Sequence, residues 1–314
     1  MFLKDKSIKT VAISVCTYQR PNQVRQAIRS VKELTIPTDL SATLIIIDNS
    51  PSEEVKRIFE EETRELKIQA EYVEEERRGI VYARNRILSE AEKRNTDYVV
   101  LFDDDDFPDP EWLVNLWTCM KKYSSTVVSG KMIFRWPESC AIQKDIRRIY
   151  DSTSSHIRTG DLRPRCGTGN TLLDYRFVKK HNLSFNPLFN LSGGEDSHFF
   201  ESMTLLGAKI VWCNEAIVYS DIVEERATEE YIWRRRYNIG YVTYLRDKLL
   251  YGKSKTNRKA FALIIRDVYK ISVTYFSRSK KTQAKRKKKV AELKGLIAAM
   301  RGIKFENYVN TDGS

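Results

Sequence analysis

Long apolar runs are missing from this 314-residue chain, and no stretch approaches the 18 or so uncharged residues of a membrane span. The opening MFLKDKSIKT lacks the apolar centre of a signal peptide, so a cytosolic protein is expected. Cysteine is scarce: Cys16, Cys119, Cys140, Cys166 and Cys213 form an odd set with no Cys-x-x-Cys pair, which argues against a disulfide framework or a zinc site. Also absent is a glycine-rich phosphate loop. No Gly-x-Gly-x-x-Gly or Walker-type loop follows the first apolar segment, so dinucleotide binding and P-loop chemistry are disfavoured.

With 41% hydrophobic residues the chain can bury a full core, as one large domain or two smaller ones. Its net charge of +12 is unevenly placed. Residues 226–314 carry 23 Lys and Arg against 7 Asp and Glu, which leaves the first 225 residues slightly acidic. The excess concentrates in Arg278 to Lys289 (RSKKTQAKRKKK), eight positive residues without an acid, a pattern that faces polyanions.

Short β-branched runs alternate with helical periodicity through the first 120 or so residues. Thr10–Cys16 predicts a buried strand, and Asn22 is expected to cap the helix that buries Val24, Ala27, Ile28 and Val31. Thr43–Ile47, Ile68–Val73 and Tyr98–Phe102 predict three further strands, with helices over Glu53 to about Leu66 and over Ile80 to Lys93. Such alternation implies an α/β fold, a Rossmann-like, doubly wound and mostly parallel sheet, whose ligands sit at the carboxyl ends of the strands. Three loops at that edge carry functional side chains: Thr17 to Arg20, Asp48 to Ser50, and Asp103 to Asp106. Pro137 to Arg165 is polar and aperiodic and is expected to be a mobile loop. A strand is expected at Gly169–Leu173, then a glycine turn at Gly193-Gly194 and a helix turning Phe199, Phe200, Met203 and Leu206 inward. Beyond Arg226 three helices are expected, two of them with apolar packing stripes: Phe261, Ile264, Val268, Ile271 and Tyr275, then Val290, Leu293, Ile297 and Met300.

The four consecutive aspartates Asp103 to Asp106 follow the apolar run Tyr98–Phe102 directly. Carboxylates a few ångströms apart raise one another's pKa and need a cation. A calcium loop of the helix-loop-helix type is excluded, because the sixth position holds Pro108 where glycine is needed. Hard oxygen ligands at a strand end suit Mg²⁺ or Mn²⁺ bridging to a diphosphate.

In order along the chain stand Val15-Cys16-Thr17-Tyr18-Gln19-Arg20-Pro21, Ile47-Asp48-Asn49, Gly79 to Asn85, Asp103 to Pro108, Gly169-Asn170, Gly193-Gly194-Glu195-Asp196 and Arg234-Arg235-Arg236. Read together, over about residues 8–240, they resemble the family 2 glycosyltransferases, inverting enzymes of GT-A type, and within them the bacterial exopolysaccharide, capsule and lipopolysaccharide branch. The resemblance implies a GT-A catalytic domain over residues 1–226, with a nucleotide-sugar half at about 8–106 and an acceptor half at about 107–226. A helical, basic region over 227–314 follows. It further implies that Thr17, Tyr18, Arg20 and Asp48 cradle the base and ribose of a nucleotide sugar, most often UDP-linked, that Arg84 braces this pocket, and that Asp103 and Asp104 belong to it. Asp105 would bind the Mg²⁺ or Mn²⁺.

A sugar hydroxyl is a weak nucleophile, so a carboxylate must take its proton. By the resemblance that general base is Asp196, with Glu195 orienting the acceptor; Asp196 also suits capping of the helix it begins. Arg234 and Arg236 stand where the family carries a diphosphate clamp, although Arg-Arg-Arg-Tyr departs from the Gln-x-x-Arg-Trp of processive synthases. His198 and Asp221 are further ligand candidates. The basic run with its amphipathic helix matches anionic lipid headgroups, which predicts peripheral attachment to the inner face of a bacterial membrane, where a saccharide or polyprenyl-linked acceptor would be met. Two other classes compete. A nucleotidyltransferase making nucleotide sugars would show a glycine-rich loop with Arg and Lys after the first strand, and a nucleic-acid binder would show a recognition motif; neither is present.

Overall fold

The structure, a computed structural model, describes residues 8–136, 156–277 and 279–305. Most of the loop expected over 137–165, with Cys140, lies outside the described residues.

Strand β1 (Lys9–Thr17), helix α1 (Pro21–Lys32), β2 (Leu40–Asp48), α2 (Glu53–Thr63), β3 (Gln69–Glu74), α3 (Ile80–Lys93) and β4 (Tyr98–Asp103) follow in alternation. They build the parallel half of a sheet in the order β3-β2-β1-β4. Consecutive residues Leu44 to Ile47 are all fully buried, because helices cover both faces of this half and leave no polar side. One core lies against α1, α2 and a later helix that carries Leu116, through Val24, Ile28, Ile58 and Leu116; the other lies against α3 through Val81, Ile87 and Ala91. Asn22 does not cap α1. Arg20 holds the cap position without a side-chain bond, and Pro21, whose φ is preset for a first helical turn, starts the helix.

After β4 the sheet becomes mixed. Asp104 and Asp105 turn the chain into β5 (Asp106–Pro108), α4 (Trp112–Tyr123) follows, and β6 (Val127–Arg135), β7 (Leu162–Arg163), β8 (Thr171–Asp174) and β9 (Ile210–Asp221) complete nine strands among the described residues. β8 runs antiparallel between β4 and β6, β9 runs parallel to β6, and β5 pairs antiparallel with β9. Between β8 and β9 lie α5 (Tyr175–Lys180) and α6 (Glu195–Leu205). Phe199, Phe200 and Met203 of α6 are buried as expected, but Leu206 is exposed because the helix has already ended at Leu205.

Three helices close the chain: α7 (Glu229–Tyr251), α8 (Lys253–Val273) and α9 (Lys280–Met300). α7 and α9 meet backbone to backbone at Gly240 and Gly295, where an added Cβ would strike Glu292 O and Tyr237 O. Tyr241, Tyr244, Ala260, Leu296 and Ala299 form their core. α8 packs through Thr256, Ala260 and Asp267, so Phe261, Val268 and Tyr275, expected on a packing stripe, are exposed instead. Ile264 of that stripe, and Leu293 and Met300 of the α9 stripe, do pack against this core.

Candidate active site

At the carboxyl edge, β1, β2 and β4 end in register: Thr17 lies opposite Asp48, and Cys16 opposite Asp103. Thr17 donates through Oγ1 to Asp104 Oδ2 at 2.8 Å, and Arg20 Nη1 donates to Asp104 Oδ1 at 2.9 Å. Asp104 therefore fastens the β1 loop to the β4 turn. Burial, against the pull of Arg20, pushes its carboxyl up to about 6. Asp48 is fully buried and accepts from the Tyr72 hydroxyl at 2.8 Å and from the Ser50 amide at 2.9 Å. Beside it Asn49 accepts from the Gly79 amide and donates to the Glu75 and Arg77 carbonyls, which holds the loop leading into α3 against the end of β2. Tyr18 stands half-buried under the Arg78 guanidinium, 5.2 Å from its ring centre.

The remaining three aspartates converge. Carboxylate oxygens of Asp103, Asp105 and Asp106 all lie within 4.8 Å of one another. Asp106 is 1% exposed, and neither of its oxygens has a well-formed hydrogen bond. Burial first, then Asp103 and Asp105, raise its pKa well above the carboxylate range, with Ser220 across the strand pair offsetting only part. An all-oxygen triad with an unsatisfied buried carboxylate fits a hard divalent cation such as Mg²⁺ or Mn²⁺. Within the run Asp103 to Asp106 the sequence singled out Asp105 as the metal ligand; Asp106 joins it in space because the chain reverses between β4 and β5.

Arginines surround this cluster. Arg226, from the short helical turn Glu224–Ala227, donates to Asp105 Oδ2 at 3.0 Å, and Arg20 lies 3.7 Å from the same oxygen. Arg84, buried on α3, contacts Asp103 Oδ1 at 3.5 Å and pairs closely with Glu195. Burial lifts Glu195 to about 7 against the pull of Arg84, while the same pairing raises Arg84 above its ordinary value. A guanidinium does not give up its proton, so Arg84 brings a positive charge to this buried contact. Glu195 is thus turned inward, with Oε2 its unsatisfied atom.

Asp196 is the second residue of α6, which follows directly on Gly193 and Gly194, whose φ of 76° and 89° favour glycine. A Cβ on Gly194 would also lie 2.8 Å from Val242 Cβ, so α7 rests on this turn; Asn238 Nδ2 of α7 donates to Ser192 O at 2.8 Å. One short segment joins the base candidate to the metal candidates. A Cβ on Gly167 would stand 3.3 Å from Asp196 Oδ2, and one on Gly169 would stand 3.1 Å from Asp103 Oδ2 and 3.2 Å from Asp106 Oδ2. Asp196 and the triad therefore lie beside the two ends of one short segment, residues 167–169.

Other candidates lie apart from it. Arg236 pairs at 3.1 Å with Glu292 of α9, Arg234 is exposed on α7, and Arg226 reaches the triad at Asp105. Asp221 is held by Arg135 at 2.6 and 3.1 Å, and His198 stacks near Phe189 at 5.2 Å, its pKa lowered by burial.

Comparison with known proteins follows the same lines. The sequence model described as glycosyl transferase family 2 matches residues 12–175. The chain is 26% identical over 267 residues to the succinoglycan biosynthesis protein ExoM of Rhizobium meliloti strain 1021, covering 81% of this chain and 80% of that one. The fold is shared with the mannosyltransferase PcManGT from Pyrobaculum calidifontis, solved with GDP-Man and Mn²⁺, at TM-score 0.63 and 15% identity over 94% of this chain and 88% of that one. It is shared also with S. aureus TarS 1-349, solved with UDP-GlcNAc, at TM-score 0.52 and 14% identity over 95% and 93% of the two chains. Against the longer S. aureus TarS structure, at TM-score 0.53 and 16% identity, 86% of this chain is covered but only 44% of that one.

Proposed function

The chain belongs to glycosyl transferase family 2, and from that premise we propose that it moves a sugar from a UDP-linked donor to a saccharide or polyprenyl-linked saccharide in exopolysaccharide synthesis. The carrying observation is that the aspartate triad and Asp196 stand at the two ends of one short segment, residues 167–169. ExoM, by its name a succinoglycan protein, supports the polysaccharide setting, and the UDP-GlcNAc complex of TarS supports the donor class.

In this reading Thr17, Tyr18, Arg20 and Asp48 hold the base and ribose, with Arg84 and Asp104 bracing the pocket walls. Asp103, Asp105 and Asp106 would hold Mn²⁺ or Mg²⁺, which when bound neutralises the diphosphate and stabilises the departing nucleotide. Arg20 and Arg226 lie against Asp105 and can turn to the diphosphate oxygens, adding positive charge where it is needed as the bond to C1 breaks. Arg234 remains a candidate for a second contact. Asp196 takes the proton of the acceptor hydroxyl while that oxygen attacks C1 from the face opposite the leaving group. The C1–O bond to the diphosphate breaks, its electron pair leaves with the nucleotide, and the configuration at C1 inverts in one displacement. Glu195, held by Arg84, fixes the start of α6 and so the position of Asp196. The working location is the anionic inner face of a bacterial membrane, reached in part through Arg278 to Lys289.

A thermal-shift panel of UDP-, GDP- and dTDP-sugars with and without Mn²⁺ tests this reading. Stabilisation by a UDP-sugar that needs Mn²⁺ and is lost in Asp105→Ala is expected; metal-independent binding unchanged in that variant would overturn it. Release of pyrophosphate from a sugar 1-phosphate and a nucleoside triphosphate would assign the chain to nucleotide-sugar synthesis instead.

A further inference from the structure

Phe261, Ile265, Tyr269, Val273 and Phe276 are 61 to 90% exposed. At 100° per residue all five fall within about a third of the circumference of α8 and the turn that follows it, opposite the side that packs through Thr256, Ala260 and Asp267. Large apolar groups gathered on one outward face mark an interaction site, since scattered single ones would need no explanation. Charge specifies the partner. Lys253, Lys255, Arg258 and Lys270 of α8 are exposed, whereas Lys259 pairs with Asp247 at 2.6 Å and the one acid of α8, Asp267, is buried and paired with Arg266 at 2.8 Å and Lys289 at 3.5 Å. At the start of the helix Lys253, Ser254, Asn257, Arg258 and Phe261 line a groove of about 700 Å³, in which cationic and hydroxyl groups adjoin an aromatic ring.

We infer that this face of α8 lies in the headgroup region of an anionic bilayer, with its apolar side chains in the upper acyl layer and a lipid phosphate in the groove beside Lys253 and Arg258. This deepens the membrane-surface location proposed above and rests on it. The basic run of α9 is less available than its sequence implies, because Arg286 donates to the Thr274 and Tyr275 carbonyls, Lys287 pairs with Glu229 and Lys289 with Glu292. Attraction by charge alone is screened by salt, whereas apolar insertion is not, so α8 supplies the salt-resistant part of the binding. A second copy of the chain suits the face poorly: a twofold contact would oppose cation to cation, and α8 offers no exposed acid to balance them.

The test is flotation of the full chain with vesicles of phosphatidylglycerol and phosphatidylcholine, and with phosphatidylcholine alone, at about 0.1 M and about 0.5 M NaCl. The protein is expected to float far better with the anionic than with the neutral vesicles at the lower salt, and a part held by apolar insertion is expected to remain bound at the higher salt. The triple variant Phe261→Ser, Ile265→Ser, Phe276→Ser should lose flotation by about tenfold, while its melting temperature and its shift with UDP and Mn²⁺ stay unchanged, since these side chains face outward. The variant Lys253→Gln, Arg258→Gln should lose only the salt-sensitive part. Equal flotation of the triple variant, or complete release of the wild type at about 0.5 M NaCl, overturns the role of α8 while leaving attachment by charge intact. No flotation of the wild type under any condition removes the membrane location altogether, and a dimer in light scattering that the triple variant converts to monomer assigns the face to a second copy. Donor binding is read separately by thermal shift, so its failure is distinct from all of these.

Discussion

Asp106→Asn tests the aspartate cluster most directly, because it separates the cost of assembling the triad from its use. Two unit charges 4.8 Å apart at an effective dielectric of about 20 repel by roughly 3 kcal/mol, and Asp106 faces two such neighbours, Asp103 and Asp105. Protonation relieves part of this, and Arg84 and Arg226, which pair with Asp103 and Asp105, relieve more. The net strain that an amide would remove is then about 1–2 kcal/mol, a rise of roughly 2–3 °C in melting temperature for a chain of this size. With UDP and Mn²⁺ at a hundred times their dissociation constant the wild type should gain about 2.7 kcal/mol, roughly 4 °C. The variant should show the opposite pair of responses: a higher melting point alone, and little or no further rise with metal and nucleotide. Differential scanning fluorimetry in chelator, then in Mn²⁺ with UDP, reads both. A variant that melts lower than wild type in chelator and still gains the full shift with metal would refute the triad as a cation site, since Asp106 would then be a structural hydrogen-bonding group.

Other variants separate the roles within the cleft. Asp196→Asn should lower kcat by about 10²- to 10⁴-fold, while the dissociation constant of UDP with Mn²⁺, from calorimetry, stays within about twofold. Arg226→Gln leaves Asp105 without its 3.0 Å partner, so Mn²⁺ alone should bind as well or better, whereas UDP affinity in saturating Mn²⁺ should fall about tenfold. Away from the site, buried Glu62 joins α2 to α1 through Arg25 at 2.9 Å, Arg29 at 2.8 Å and Lys32 at 3.6 Å, and its pKa is lowered, chiefly by the Arg29 hydrogen bond. A lowered carboxylate pKa contributes stability above the unfolded value and loses it as pH falls through the folded one. Glu62→Gln should therefore cost about 1 kcal/mol at pH 7, discounted because Arg29 is well exposed, and the difference in urea midpoints should close as pH falls below the ordinary Glu range.

The parallel half of the sheet was legible because β1, β2 and β4 are short, largely apolar runs and its helices are periodic; Ile80–Lys93 forms the helix that its spacing predicts. Asn22 misled because serine-like capping competes with a proline at the first helical position, and Pro21 won. β6 and β9 gave weaker signals. Ser129, Gly130 and Lys131 interrupt the apolar pattern of β6, and Asn214 with Glu215 interrupt β9, at the place where the register between the two strands shifts. That irregularity serves the site: the backbone at Gly130 passes so close to Asn170 and the Ala216 carbonyl that no side chain fits, and Asn170, bonded to Trp112, Lys131 and Ala216, fixes the segment entering from residues 167–169. The stripe on α8 was legible as amphipathic, but periodicity does not say which side finds a partner. Arg226 left no local mark, being 121 residues from Asp105.

These distant contributions share one physical origin. A cluster of buried carboxylates cannot be assembled by one strand end, since each added acid raises the cost of the next. The chain meets that cost from several directions: Arg20 from the loop after β1, Arg84 from α3, and Arg226 from the turn leading into α7. If the cluster takes a metal and a diphosphate as proposed, these guanidiniums already stand where the incoming groups would exchange partners with the carboxylates. The same logic binds the C-terminal helices to catalysis. α7 supports the Gly193-Gly194 turn through Asn238 and Val242, and its neighbour α8 carries the exposed apolar face. A helix pair that holds the general base on one side and meets lipid on the other would set the cleft at a constant height above the surface from which a lipid-linked acceptor presents its hydroxyl.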